Sequence, residues 1–255
     1  MSLNNNSPWP GFSSFKNLFV FGDSYSAIGY AANLPPPTKI DRNTVPYNIL
    51  RTLIYLCTIM PSEAHVYPRA GSGGAVETQV NKNFLEGYAM ERTAEGLPWD
   101  AADSLFVTWV GINDCAYAQT HEDTLELLFS LQEKLYAAGA RVFLFIDVPP
   151  IARSPAGVNA SSDISATYMN WNSGLRRSVQ DFAAAHPDAR VLGFSAFDTF
   201  NRILDNPSDY GISKKDVSRA GGAVWRDHLH PTSKIHEIFA RELVEFLKSV
   251  DRADE

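Results

Sequence analysis

Five short runs of apolar, β-favouring residues alternate with stretches of helical periodicity, and that alternation leaves few folds open. The runs fall at about 17–22, 65–67, 104–110, 141–148 and 190–194. The helical stretches fall at about 46–58, 76–92, 121–138, 163–185, 196–205 and 232–250. In the first of these, Ile49, Leu50, Leu53, Ile54 and Cys57 recur on one face. Runs such as Val142-Phe143-Leu144-Phe145-Ile146 are apolar without alternation, as strands buried on both faces are. Strand followed by helix, repeated, gives a parallel sheet with helices on both sides. The expected fold is therefore α/β, a three-layer α/β/α sandwich with a five-stranded, mostly parallel sheet. No internal repeat or break in composition divides it, so residues 16–255 are expected to form one domain. Residues 1–15, polar and carrying prolines, are expected to lie extended on the surface.

Ligands of open α/β sheets bind at the carboxyl ends of the strands, so the residues there carry the chemistry. The first run, Leu18-Phe19-Val20-Phe21, stops at Gly22-Asp23-Ser24. Gly22 permits a tight turn, and Asp23 or Ser24 suits a helix cap. Ser24 is also placed to be a nucleophile, which requires a base to take its proton. The second run leads into Arg69-Ala70-Gly71-Ser72-Gly73-Gly74-Ala75, whose small residues let backbone N–H groups approach a ligand. The third ends at Gly111-Ile112-Asn113-Asp114-Cys115, where Asn113 is either a turn residue or a side-chain donor into the same mouth. Near the C-terminus, Asp227 and His230 stand three residues apart before the last helix. One turn of chain brings such a pair together, so the carboxylate orients the ring and leaves its second nitrogen to deprotonate a serine. The alternative, Asp227, His228 and His230 as metal ligands, lacks a convincing further ligand set.

Composition narrows the partners. The chain has 255 residues, is 45% hydrophobic and 20% charged, and carries a formal charge of −7. An acidic chain without a basic stripe argues against nucleic acid and against an anionic membrane surface. No stretch is apolar enough to span a membrane, and residues 1–15 lack the charged and apolar regions of a signal peptide. Asn5-Asn6-Ser7 and Asn159-Ala160-Ser161 are glycosylation sequons. The chain is thus expected to be secreted if a leader has been removed, and cytoplasmic otherwise. Its two cysteines, Cys57 and Cys115, allow one bridge, although Cys57, in an apolar helical pattern, suits a buried free thiol.

Gly22-Asp23-Ser24, the Gly73-Gly74-Ala75 turn, Gly111-Ile112-Asn113-Asp114 and Asp227-His228-Leu229-His230-Pro231 follow the order of the four sequence blocks of the GDSL, or SGNH, hydrolases. The chain resembles that superfamily over nearly its whole length. Tyr25 stands where the motif's fourth letter has leucine, a departure that spares the nucleophile. The resemblance implies a flavodoxin-like fold, with Ser24 as nucleophile, His230 as general base and acid, and Asp227 as the residue orienting His230. It implies an oxyanion hole made by the Ser24 N–H, the Gly74 N–H (with Gly73 the alternative) and the Asn113 side chain. It implies no metal and no cofactor. Asn206-Pro207-Ser208-Asp209-Tyr210-Gly211, Trp225 and Leu229-His230-Pro231-Thr232 followed by His236 are also similar to fungal acetylesterases of carbohydrate esterase family 16. On that likeness Asp23 and Trp225 become candidate substrate contacts, although Trp225 suits helix packing equally. Trp109 reads as a core aromatic, Asp114 as structural, and His65, His121, His186 and His236 as structural.

The expected activity is hydrolysis of short acyl esters, acetyl above all, of sugars or oligosaccharides through an acyl-enzyme on Ser24. A lipase, lysophospholipase or thioesterase would use the same triad. A carbohydrate-binding protein on a hydrolase fold is the alternative outside catalysis.

Overall fold

The computed structural model describes residues 9–26, 65–68, 75–89, 99–160, 162 and 164–253. The expected helix at 46–58 with Cys57 and both Gly73 and Gly74 lie outside the described residues.

Five strands form one sheet in the order β2-β1-β3-β4-β5. They are β1 (Asn17–Gly22), β2 (His65–Pro68), β3 (Ser104–Trp109), β4 (Val142–Ile146) and β5 (Arg190–Phe194). Every pairing is parallel, with Gly22 opposite Trp109 and Trp109 opposite Ile146. Parallel strands need crossovers, and among the described residues helices supply them: α1 (Val76–Thr78, continuing in the wider winding of Gln79–Ala89) before β3, α2 (Ile112–Tyr117) and α3 (Glu122–Ala137) before β4, and α4 (Ser165–Ala185) before β5, while α5 (Ala196–Asp205) and α6 (Ser233–Ala253) follow the last strand.

Alternation along the strands divides the core into two layers. Phe106, Phe143 and Phe145 face one way, against Phe84 of α1, Phe129 of α3 and Phe182 of α4, with ring centroids 5.1–5.4 Å apart at the closest contacts. Trp109 faces the other way and stacks on Phe239 of α6 at 4.7 Å, while Phe194 meets the same ring edge-on. Both sheet faces are thus covered by apolar helix stripes, which makes the molecule the expected three-layer sandwich. Trp109 is the core aromatic that the sequence suggests.

The N-terminal segment departs from its expected course. Residues 9–15 do not simply run extended over the surface: Phe12–Ser14 form a tight turn, Phe12 and Phe15 are buried, and Trp9 packs edge-on against Phe15 at 5.2 Å. Two aromatic rings outweigh the polar residues around them, because burying each is worth roughly 1.5–3 kcal/mol.

Candidate active site

Gly22 closes β1, and the next residues turn at once. Tyr25 N–H donates to Asp23 Oδ1 at 2.9 Å and Ser26 N–H to the Asp23 carbonyl at 3.0 Å, so Ser24–Ser26 wind into a single 3-10 turn. The turn is too tight for a side chain at position 22: a Cβ there would lie 2.5 Å from Ser26 Oγ. Ser24 is thereby held at the carboxyl edge of the sheet.

The second part of the site comes from the loop before α6. Leu229 and His230 each donate a backbone N–H to Asp227 Oδ1 at 2.8 Å, wrapping the loop around the carboxylate. The same carboxylate receives the His230 ring: Nδ1 is 2.9 Å from Oδ2 and 3.1 Å from Oδ1. A carboxylate only accepts, so Nδ1 carries the proton and Nε2 is the free base. Nε2 lies 3.0 Å from Ser24 Oγ, the distance of an O–H donated to a nitrogen. Burial works to raise the Asp227 pKa, but the N–H donors of His230 and Leu229 and the His230 ring outweigh it and hold the carboxyl below its ordinary value. The loop is braced from outside by Arg226 N–H on the His230 carbonyl and Ala156 N–H on the His228 carbonyl, both at 2.8 Å. The His228 side chain is exposed.

Asn113 enters from the end of β3. Gly111 turns the chain at φ 120°, and α2 begins with Ile112, which places Asn113 in the first helical turn. Ser24, Asn113 and Asp114 border one cavity of about 500 Å³, whose apolar wall includes Leu127, Leu131 and Trp171. The cavity therefore brings Ser24, whose hydroxyl is paired with His230, together with a side-chain amide and an apolar surface, an arrangement suited to acyl transfer to a serine.

Two expected substrate contacts stand differently. Trp225 is fully buried, its Nε1 donates to the Val217 carbonyl at 2.8 Å and its ring lies 6.0 Å from that of Phe200, so it offers no face to a sugar. The indole anchors the histidine loop instead. Asp23 borders the cavity, but its Oδ1 is engaged by Tyr25 and its Oδ2 is shut off from solvent, with no hydrogen-bond partner among the described residues. Burial, with Asp114 adding to it, pushes Asp23 up to about 6. Its evident task is holding the turn.

His121 is buried, with Nε2 2.9 Å from Thr167 Oγ1, and His186 pairs with Glu133 at 2.8 Å. His236 is buried behind Tyr25, with ring centroids 6.3 Å apart. Cys115 is a buried thiol whose pKa burial pushes up to about 12, which leaves it unreactive. Among the described residues no group of three or more His, Cys, Asp or Glu is arranged to hold a metal ion. No described helix is long and apolar enough to cross a membrane.

Sequence reasoning missed Gln79. Its buried carboxamide bonds both backbone groups of Gly22, two residues before Ser24. A glutamine inside a helical pattern gives no sign of this task.

Residues 18–243 match the family model described as GDSL-like lipase/acylhydrolase. An acetylesterase of Thermothelomyces thermophilus is 28% identical over 269 aligned positions, covering 92% of this chain and 89% of its own. A phosphatidylcholine-sterol acyltransferase of Aeromonas hydrophila is 24% identical, covering 84% of this chain and 68% of its own. Among solved structures, an acetylxylan esterase from Geobacillus stearothermophilus superposes with a TM-score of 0.58 at 15% identity, covering 91% of this chain and 94% of that one. An α/β hydrolase from the metagenome of Lake Arreo gives 0.61 at 14%, covering 93% and 99%. At such identities the structural likeness speaks for the fold alone.

Proposed function

The chain belongs to the GDSL-like lipase/acylhydrolase family and is a carboxylic ester hydrolase; from that premise we propose that it is a serine esterase releasing short acyl groups, acetyl above all, from sugars or oligosaccharides. The observation that carries the reading is the continuous line from Ser24 Oγ through the His230 ring to the Asp227 carboxylate, at 3.0 and 2.9 Å.

The steps follow from that line. Ser24 Oγ attacks the ester carbonyl as its proton passes to His230 Nε2. The imidazolium that forms is stabilised by Asp227, which already holds Nδ1–H. Negative charge develops on the carbonyl oxygen, and the Ser24 N–H, the Asn113 side chain and the Gly74 N–H receive it in this scheme. His230 then protonates the departing alcohol, leaving the acyl group on Ser24. Water, deprotonated by His230, attacks the acyl-enzyme and releases the acid. Residues 16–255 are read as the one domain that performs this, with small-molecule or oligosaccharide esters as its partners.

Acetyl as the acyl group finds support in the Thermothelomyces acetylesterase, which matches along most of both chains. The apolar wall of Leu127, Leu128 and Leu131 favours a second reading, in which longer acyl chains are accepted by the same triad. A panel of acetylated xylo-oligosaccharides, triacetin and longer-chain esters decides between them. The proposal expects kcat/KM to be highest for acetyl groups on the saccharides. A maximum at long acyl chains would replace it with the lipase reading.

A further inference from the structure

Tyr25 is where this chain leaves the family's motif, and it is also the residue that joins the two halves of the site. The ring is 1% exposed, sits edge-on to Trp109 at 5.7 Å and lies 5.8 Å from the His230 ring. Its hydroxyl donates to the Leu229 carbonyl at 2.5 Å, linking positions 204 residues apart. That carbonyl and the His230 N–H belong to one peptide plane. The N–H edge of the plane donates to Asp227 Oδ1 at 2.8 Å. The plane is therefore gripped at both edges, by the triad carboxylate on one side and by the neighbour of Ser24 on the other.

The two grips do different things. The bonds to Asp227 are local, spanning two or three residues, and fix the shape of the histidine loop without fixing its distance from Ser24. The Tyr25 bond runs across the molecule from the turn that carries Ser24. It sets the plane from which the His230 side chain departs, and so the separation of Nε2 from Oγ. Donation to the carbonyl also polarises the peptide and strengthens the N–H that Asp227 receives. A leucine in this place would fill space but make no such bond.

We propose that Tyr25 is a positioning residue for the hydrolysis, locking the His230 ring onto Ser24 through the Leu229 carbonyl. The proposal rests on reading Ser24 as the nucleophile and His230 as the base. Tyr25 does not touch substrate in this scheme, because its hydroxyl is engaged and it does not border the cavity.

The test compares wild type, Tyr25→Phe, Tyr25→Leu and Ser24→Ala on p-nitrophenyl acetate, with active sites counted by an organophosphate carried to completion. Tyr25→Phe keeps the ring and removes only the donor. Its kcat per titrated site is expected to fall about tenfold or more while KM stays within about twofold, because the loss is one of alignment and not of substrate binding. Tyr25→Leu is expected to fall at least as far, and supplies the same comparison should the phenylalanine form not fold. A Tyr25→Phe enzyme with kcat within about twofold of wild type overturns the proposal. So does a loss that disappears once rates are divided by titrated sites, since that marks a merely structural role. Ser24→Ala separates the premise: activity retained there would undo the reading of Ser24, whatever Tyr25 does.

Discussion

The carboxamide of Gln79 stands in for a strand beside Gly22, taking its N–H on Oε1 at 3.0 Å and donating Nε2 to its carbonyl at 2.8 Å. Among the described residues β2 pairs with β1 as far as Pro68 opposite Val20, short of Gly22 on that side. Buried backbone groups need partners, and the glutamine completes the ladder. Asn172 does the same for Val148 beyond the end of β4, with both bonds at 2.8 Å. Gln79→Ala strips partners from two buried groups at roughly 1–3 kcal/mol each, so urea unfolding is expected to show a loss of about 2–6 kcal/mol. A variant as stable as wild type would mean that the groups find other partners.

Asn113 is exposed and sits early in α2, so shortening it disturbs little packing. In the proposed mechanism its amide meets charge that exists only in the transition state. Asn113→Ala is therefore expected to lower kcat on the order of 100–1000-fold with KM nearly unchanged. Steady-state kinetics on p-nitrophenyl acetate check this, and an unchanged kcat would remove Asn113 from the oxyanion hole.

Gly111 serves the same side chain through the backbone. Its φ of 120° is open to glycine, and a Cβ would fall 2.2 Å from the Trp171 ring. Gly111→Ala is expected to cost about 2 kcal/mol or more in thermal or urea unfolding, from strain and overpacking together. It is also expected to lower kcat, since α2 starts at the next residue. A variant that lost stability but kept its kcat would separate the turn from the chemistry.

Much of the fold was legible because its signals are local. Arg190–Phe194 and Asn17–Gly22 form at the bounds their apolar runs mark, and Ala196–Asp205 likewise. Ser24, Asp227 and His230 were legible as chemistry-bearing residue types at strand and helix ends, and the structure brings them together. What escaped is set by tertiary context. Gln79 bonds a strand end 57 residues earlier, which helical periodicity does not encode. Trp225 before the histidine loop looks like a sugar platform until the fold places Phe200 and Val217 around it. Phe12 and Phe15 are hidden in a polar segment and find their pockets only once the sheet and helices exist.

Acid is expected to weaken the fold through His236. Burial, reinforced by His230, brings its pKa down to about 4 from 6.5. Between those values the unfolded chain holds a proton that the folded chain does not, so this group makes stability rise with pH. Its contribution is complete above about 6.5 and is lost as pH falls toward 4, at up to about 1.4 kcal/mol per pH unit. Asp23 and Asp147, each pushed by burial up to about 6 from 3.8, act in the opposite sense: their folded forms keep the proton longer, so stability falls as pH rises through that window. His236→Gln removes only the first contribution. Urea unfolding across this range is expected to show the variant's slope of stability against pH lower than wild type's by up to about one proton. Parallel slopes would show that His236 keeps an ordinary pKa in the fold.

The central claim is that the Ser24 hydroxyl, relieved of its proton by His230, is the group that attacks the ester. Hydrolysis of p-nitrophenyl acetate by purified Ser24→Ala tests it most directly. Its kcat is expected to fall on the order of 10⁴-fold or more, with the folded state intact. Turnover at the wild-type rate would contradict it.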